Sequence, residues 1–373
     1  MSQLGFLISL RAYFCSASIA NLSRNPFVET TLGYALTYIS SVLSSHRIKP
    51  TTVTILADND YYSQPSSTSE TTNTKFQFSD FGVRLQDAHK TGLGSSAALV
   101  TAFTGALLSH YLPASLFTLD SEEGRAKLHN LAQAAHCAAQ GKVGSGFDVA
   151  AAVYGTCVYR RFSPSILSHL GEPGSAGFSK RVRRIVENTD PDQKWDTEIS
   201  KGGVTIPKGM SLVMCDVDCG SQTVSMVKKV LEWRKKDAAG SKTLWDALQQ
   251  SNDTLASTLS SGTPAQLEAA FSSIREKIRD MGERSGVPIE PREQTELLDA
   301  LTAGVDGVAG GVVPGAGGYD AISLLVKDDK ETLESLKQFL EKWSVEKKSN
   351  VKLLNATGEL EGARTEDRSL YKF

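Results

Sequence analysis

Between residues 25 and 44 the apolar positions Phe27, Leu32, Ala35, Leu36, Ile39 and Leu43 recur at helical spacing. Asn25-Pro26 supplies an entry cap, so the pattern predicts a helix. Residues 51–57 alternate β-branched and apolar side chains and predict a strand, while residues 58–75, rich in Asp, Ser, Thr and Tyr, predict a surface loop. Helical spacing returns over 96–111 and 121–140, the second with an alanine-rich face suited to close packing. A further helix is predicted over 147–153 and an edge strand over 156–161. Residues 163–202 mix Pro, Gly, Ser and both charges; they predict a loop and place a domain boundary, giving domains 1–195 and 196–373. Beyond lie a strand over 211–217, helices over 220–236 and 244–281, a buried strand over 321–326, a helix over 330–343 and a strand from 351. Strands and helices alternate without the βαβ rhythm of a doubly wound sheet, so an α+β fold is expected.

Composition narrows the partners. A chain of 373 residues exceeds one ordinary core, and 40% apolar with 22% charged residues is the balance of a globular protein. A formal charge of -2 argues against nucleic acid or an anionic membrane as the main partner, but leaves room for a small anionic ligand held by a local positive cluster. The five cysteines are scattered, and Cys215 and Cys219 have no histidine at zinc-ligand spacing, so reduced thiols are expected. No apolar stretch reaches the length of a membrane span. The acid-poor start over 1–24 shares features of a transit peptide without its run of arginines, and a cytoplasmic location is expected.

Three glycine-rich turns carry the candidate chemistry. The first, K-T-G-L-G-S-S-A-A (90–98), runs into a helix-forming segment. Gly92 and Gly94 permit tight turns and close approach to a ligand, and Ser95 and Ser96 fall where unpaired helix amides point outward. Its spacing is not that of a Walker A loop, and alone it reads either as a connector or as an anion site. The second, G-K-V-G-S-G-F-D-V-A-A-A-V-Y-G (141–155), sets Asp148 two residues after a Gly-Ser-Gly turn. That carboxylate either complements a helix dipole or stands beside an anion site to accept or orient a proton. The third, P-G-A-G-G-Y-D-A (314–321), brings backbone close to a chain segment or a ligand ahead of an apolar strand.

In this order the three motifs resemble the GHMP small-molecule kinases and, within that superfamily, the fungal-type phosphomevalonate kinases. Supporting stretches are N-P-F-V-E (25–29), H-N-L-A-Q-A-A-H-C-A-A-Q-G-K (129–142), Y-R-R-F (159–162) and E-P-R-E-Q-T-E-L-L-D (290–299). The resemblance implies an N-terminal α+β domain, a C-terminal ferredoxin-like domain and an active site between them. It further implies ATP- and Mg2+-dependent phosphorylation of (R)-5-phosphomevalonate, a small-molecule partner.

Carried over by position, Lys90, Thr91, Gly92, Leu93, Gly94, Ser95, Ser96 and Ala97 would surround the ATP phosphates. Ser95 or Ser96 would help hold magnesium, and Lys90 and Asp148 would be catalytic. Ser145, Gly146, Ser221, Thr223, Gly315, Ala316 and Gly317 would line the acceptor side, together with at most one of Arg160 and Arg161. His129 and His136, seven apart on one helix face, read as packing residues.

Family members open with a strand and a lysine-bearing A-P-G-K-type motif. Residues 1–23 hold no match to it, so the chain is expected to lack that segment. Two other readings therefore stand beside the first: another GHMP kinase, such as a mevalonate kinase, or a nucleotide-binding remnant impaired in turnover.

Overall fold

The structure, a computed structural model, describes residues 25–43, 48–49, 51–58, 61, 91–217, 223–357 and 360–367. Its first helices are α1 (Pro26–Val42), α2 (Ser95–Tyr111), α3 (Glu122–Gln140) and α4 (Phe147–Tyr154). A two-stranded antiparallel ribbon, β1 (Val158–Arg160) with β2 (Glu198–Ser200), brackets α5 (Ser165–Ser168) and α6 (Phe178–Val186).

Local chemistry explains these boundaries. Asn25 Oδ1 accepts the amides of Phe27 and Val28, and Pro26 occupies the first turn, where its missing N–H costs nothing. Ser121 caps α3, which closes on Gly141 in the left-handed region. Tyr34, Tyr38, Phe103, Leu128 and Leu131 form the core these helices share. The buried Ala132, Ala134 and Ala135 allow α3 to lie close against its neighbours.

The second half begins with β3 (Met210–Val217), α7 (Thr223–Lys236), α8 (Ala238–Ser261), α9 (Pro264–Ser285) and α10 (Arg292–Gly304). It continues with β4 (Val308–Val312), β5 (Ala321–Lys327), α11 (Lys330–Lys347) and β6 (Val351–Thr357). The strands form an antiparallel sheet in the order β4-β5-β3-β6. Alternation along β5 serves both faces: Ile322, Leu324 and Val326 pack with Leu298, Leu301 and Leu336, while Leu325 packs with Leu267 and Phe271 of α9. The result is the expected two-domain α+β fold. No described helix is long and apolar enough to cross a membrane.

Three expectations change. Residues 51–57 take no regular structure and pair with no described strand; an alternating pattern specifies a strand only when a partner supplies the ladder. Residues 163–202 contain α5, α6 and β2 rather than a plain loop. In α6 the buried Phe178, Val182, Ile185 and Val186 recur at helical spacing, masked in the sequence by Lys180, Arg181, Arg183 and Arg184. The helix expected over 244–281 is two. Gly262 ends α8, and Thr263-Pro264 opens α9 with a reciprocal capping box to Gln266. The expectations for residues 1–24 lie outside the described residues, as do Cys15 and Cys219; Cys137, Cys157 and Cys215 carry free thiols.

Candidate active site

Each glycine turn adopts backbone that its glycines make possible. Gly92 and Gly94 have φ of 78° and 75°, and Gly94 caps α2 without any side-chain hydrogen bond. Helical bonding begins at Ala98 N–H to Gly94 O, 3.0 Å, so the amides of Ser95, Ser96 and Ala97 precede the first intrahelical bond. A Cβ placed on Gly92 would meet no atom of the described residues within 4 Å. Thr91 is buried and gives its amide to Tyr61 O, anchoring the turn, while the buried Ala97 side chain joins the core. Leu93 is half-buried.

The second turn is held tightly. Gly146 has φ of 81°, and a Cβ there would come within 2.5 Å of Gln133 Oε1 and 2.7 Å of the Tyr159 hydroxyl. Tyr159 donates to Ser145 O at 2.9 Å; burial pushes its phenol up to about 12, keeping it a donor. Arg161 donates to Val143 O at 3.0 Å, whereas Arg160 pairs with Glu198 at 2.9 Å on the open surface. Of the two arginines, Arg161 is therefore the one at the turn.

Asp148 lies in the first turn of α4, and its Oδ1 accepts the Val149 amide at 2.9 Å. A Cβ on Gly94 would touch Asp148 Cβ at 3.5 Å, so the first two turns face one another. Two helix N-termini thereby converge beside one carboxylate, a setting that favours an anion at the amides and a cation or proton near Asp148.

The third turn links β4 to β5, with Gly315 and Gly317 at φ of 63° and 76°. Gly318 N–H donates to Ile289 O at 2.8 Å, and Gln294 Nε2 donates to Tyr319 O at 2.8 Å. Under this anchor Glu290 is fully buried and accepts from Arg275, Arg279 and Thr295 at 2.8–2.9 Å. The exposed Phe147 ring reaches within 4.0 Å of where a Gly315 Cβ would stand, joining the third turn to the second. Ala316 lies between these glycines and is half-buried.

Thr223 begins α7; Lys90 and Ser221 lie outside the described residues. The described residues thus bring together turns one, two and three. They add a residue that the pattern placed in the core for packing alone: the buried His136 stands 3.1 Å from Ser96 Oγ and 3.9 Å from Asp148 Oδ2. Its signal was available, a polar ring on an alanine face one helical turn before Gln140 and the second glycine turn. His129 does pack, between Tyr154 and Trp195, and burial pushes it down to about 4, so it is neutral.

Among the described residues no group of three or more His, Cys, Asp or Glu side chains could hold a metal. Magnesium at phosphate sites takes one or two protein oxygens and completes its shell from phosphates and water. The Ser95 and Ser96 hydroxyls, the Asp148 carboxylate and a Gly92 that no described side chain crowds suit a polyphosphate and such a cation.

Known proteins resemble this chain over most of its length. Residues 79–156, which hold the first two turns, match the model of the GHMP kinases N terminal domain. The chain is 58% identical over 355 residues to phosphomevalonate kinase ERG8 of Gibberella zeae, covering 94% of this chain and 79% of that one. It is 53% identical over 361 residues to the phosphomevalonate kinase erg8 of Aspergillus fumigatus, covering 92% and 74%. The Streptococcus pneumoniae phosphomevalonate kinase structure shares the fold, with a TM-score of 0.58 at 16% identity over 90% of this chain and 84% of that one. The chain belongs to the phosphomevalonate kinase family.

Proposed function

We propose that this chain transfers the γ-phosphoryl group of ATP to the phosphate of (R)-5-phosphomevalonate, giving 5-diphosphomevalonate on the mevalonate route to isoprenoids and sterols. The observation that carries the reading is the meeting of turns one and two, where the amide-rich start of α2 faces Asp148. Identity above half to two fungal relatives named as phosphomevalonate kinases supports the choice of acceptor. We further place the domain boundary near residue 195, the site between the domains, and the chain in the cytoplasm with a small molecule as its partner.

Bound ATP with Mg2+ supplies the transferable phosphoryl group and the charge that stabilises its transfer. The first-turn amides of α2 donate to phosphate oxygens, and Gly92 leaves them room to approach. Ser95 or Ser96 presents a hydroxyl oxygen of the hard type magnesium prefers. Lys90 would neutralise phosphate charge. Ser145, Gly146, Ser221, Thr223 and residues Gly315, Ala316 and Gly317 would line the acceptor side, where Arg161 steadies the Val143 carbonyl.

Asp148 orients the attacking oxygen. That oxygen belongs to a phosphate already largely ionised at pH 7, so positioning and charge neutralisation outweigh general base help. The test is ADP release by the purified chain with phosphomevalonate, mevalonate or diphosphomevalonate as acceptor. Turnover with phosphomevalonate alone is expected; turnover with mevalonate instead, or ATP binding with no turnover, would overturn the reading.

A further inference from the structure

Ser96, His136 and Asp148 come from three different helices; Ser96 bonds a ring nitrogen of His136, and Asp148 lies just beyond hydrogen-bond reach of it. His136 Nε2 hydrogen-bonds the Ser96 hydroxyl at 3.1 Å, lies 3.3 Å from the Gln140 amide nitrogen and stands 3.9 Å from Asp148 Oδ2. The imidazole is 3% exposed, and Phe27 packs against it with ring centroids 5.6 Å apart. A polar ring buried this deeply is costly without its partners, so it fixes the groups that satisfy it. One turn earlier on the same face of α3, Gln133 presses against Gly146. Gln133, His136 and Gln140 thus form a row that touches both glycine turns and sets the distance between them.

We propose that His136 is a positioning residue for phosphoryl transfer, hydrogen-bonding the Ser96 hydroxyl and so fixing it beside the Asp148 carboxylate across the starts of α2 and α4. The inference rests on the kinase reading above, in which Ser96 faces the phosphates. The role asks for no contact between the imidazole and nucleotide or acceptor, and no change in its protonation. It acts on the geometry of reacting groups, so its loss falls on kcat more than on acceptor binding.

His136→Phe keeps a buried ring against Phe27 and removes the polar contact; His136→Gln keeps an amide within reach of Ser96. The phenylalanine variant is expected to lose kcat by about 10- to 100-fold, with KM for phosphomevalonate changed less than about threefold. The glutamine variant should recover most of that loss. Combined with Ser96→Ala, the double variant should lose less than the product of the single losses, because both remove one shared contact.

Unchanged kcat in His136→Phe, a rise in KM alone, or losses that multiply independently would overturn the proposal. Should the phenylalanine variant not fold, His136→Asn, too short to reach Ser96, takes its place with the same expectations. Wild-type protein without turnover would instead defeat the kinase reading. The same cycle read as dissociation constants for magnesium–ATP remains decisive in that case: coupled losses keep the Ser96–His136 link, and independent losses remove it.

Discussion

Alanine at Gly92 and at Gly146 should fail in opposite ways, because a Cβ on the first meets no described atom and a Cβ on the second meets protein. Both sit in the left-handed region, at φ of 78° and 81°, where a Cβ costs about 1–2 kcal/mol. At Gly92 the new methyl group meets no atom of the described residues within 4 Å, so among them the conformational cost is the only one. Reduced freedom of the unfolded chain returns about 0.4–1 kcal/mol, leaving a net loss of roughly 1 kcal/mol. At Gly146 the methyl group falls 2.5 Å from Gln133 Oε1 and 2.7 Å from the Tyr159 hydroxyl. Gln133 is fully buried and cannot swing into solvent, which adds an overpacking cost of about 1–3 kcal/mol and brings the net total to roughly 2–4 kcal/mol.

Nucleotide binding should follow the reverse order. A Cβ on Gly92 projects where phosphate oxygens approach the α2 amides, and loss of one charge-assisted hydrogen bond there weakens ATP by about tenfold or more. Equilibrium urea unfolding of the apo protein and ATP titration of each variant make the comparison. Normal ATP affinity in Gly92→Ala would refute the phosphate-cradle account of the first turn. Wild-type stability in Gly146→Ala would refute the close packing of α3 against the second.

Asp148→Asn keeps the shape of the side chain and removes its charge; kcat should fall on the order of 10- to 100-fold without shifting the acidic limb of the kcat/KM profile, since the acceptor phosphate is already ionised. A fall well beyond a thousandfold with loss of that limb would make Asp148 an obligatory base. Glu290→Ala leaves Arg275 and Arg279 without their buried partner beneath the third turn, and should cost about 3–5 kcal/mol in urea unfolding; a loss under about 1 kcal/mol would contradict the anchoring role. His129 is held down to about 4 from 6.5 by burial, so the fold accommodates its neutral form. Its contribution is fully present above pH 6.5 and is lost as pH falls toward 4, reaching about 3 kcal/mol there. His129→Leu should flatten that part of the pH–stability curve, and parallel curves for the two proteins would refute the assignment.

What the sequence made legible was whatever local chemistry decides. Asn25-Pro26 announces α1 because a cap and a fixed φ act within one turn, and Gly92, Gly94 and Gly146 announce turns because few other residues tolerate positive φ. Asp148 was legible for the same reason, standing at a helix start beside such a turn. What pairing across the chain decides was not legible. Residues 51–57 have the alternation of a strand, yet they pair with no described strand. The basic surface of α6 hides a core-facing row. His136 looked like packing because its partners, Ser96 and Asp148, arrive from helices 40 residues upstream and across the second turn. Arg160 and Arg161 could be told apart only once Glu198 and Val143 had been placed beside them.

Phosphorus NMR of the purified chain incubated with magnesium–ATP and phosphomevalonate separates phosphoryl transfer to the acceptor from simple ATP hydrolysis. Transfer to the acceptor phosphate is expected to give loss of the phosphomonoester signal and growth of coupled diphosphate resonances in step with ADP. An unchanged phosphomonoester signal while ATP is consumed, or no reaction at all in folded protein, would contradict it.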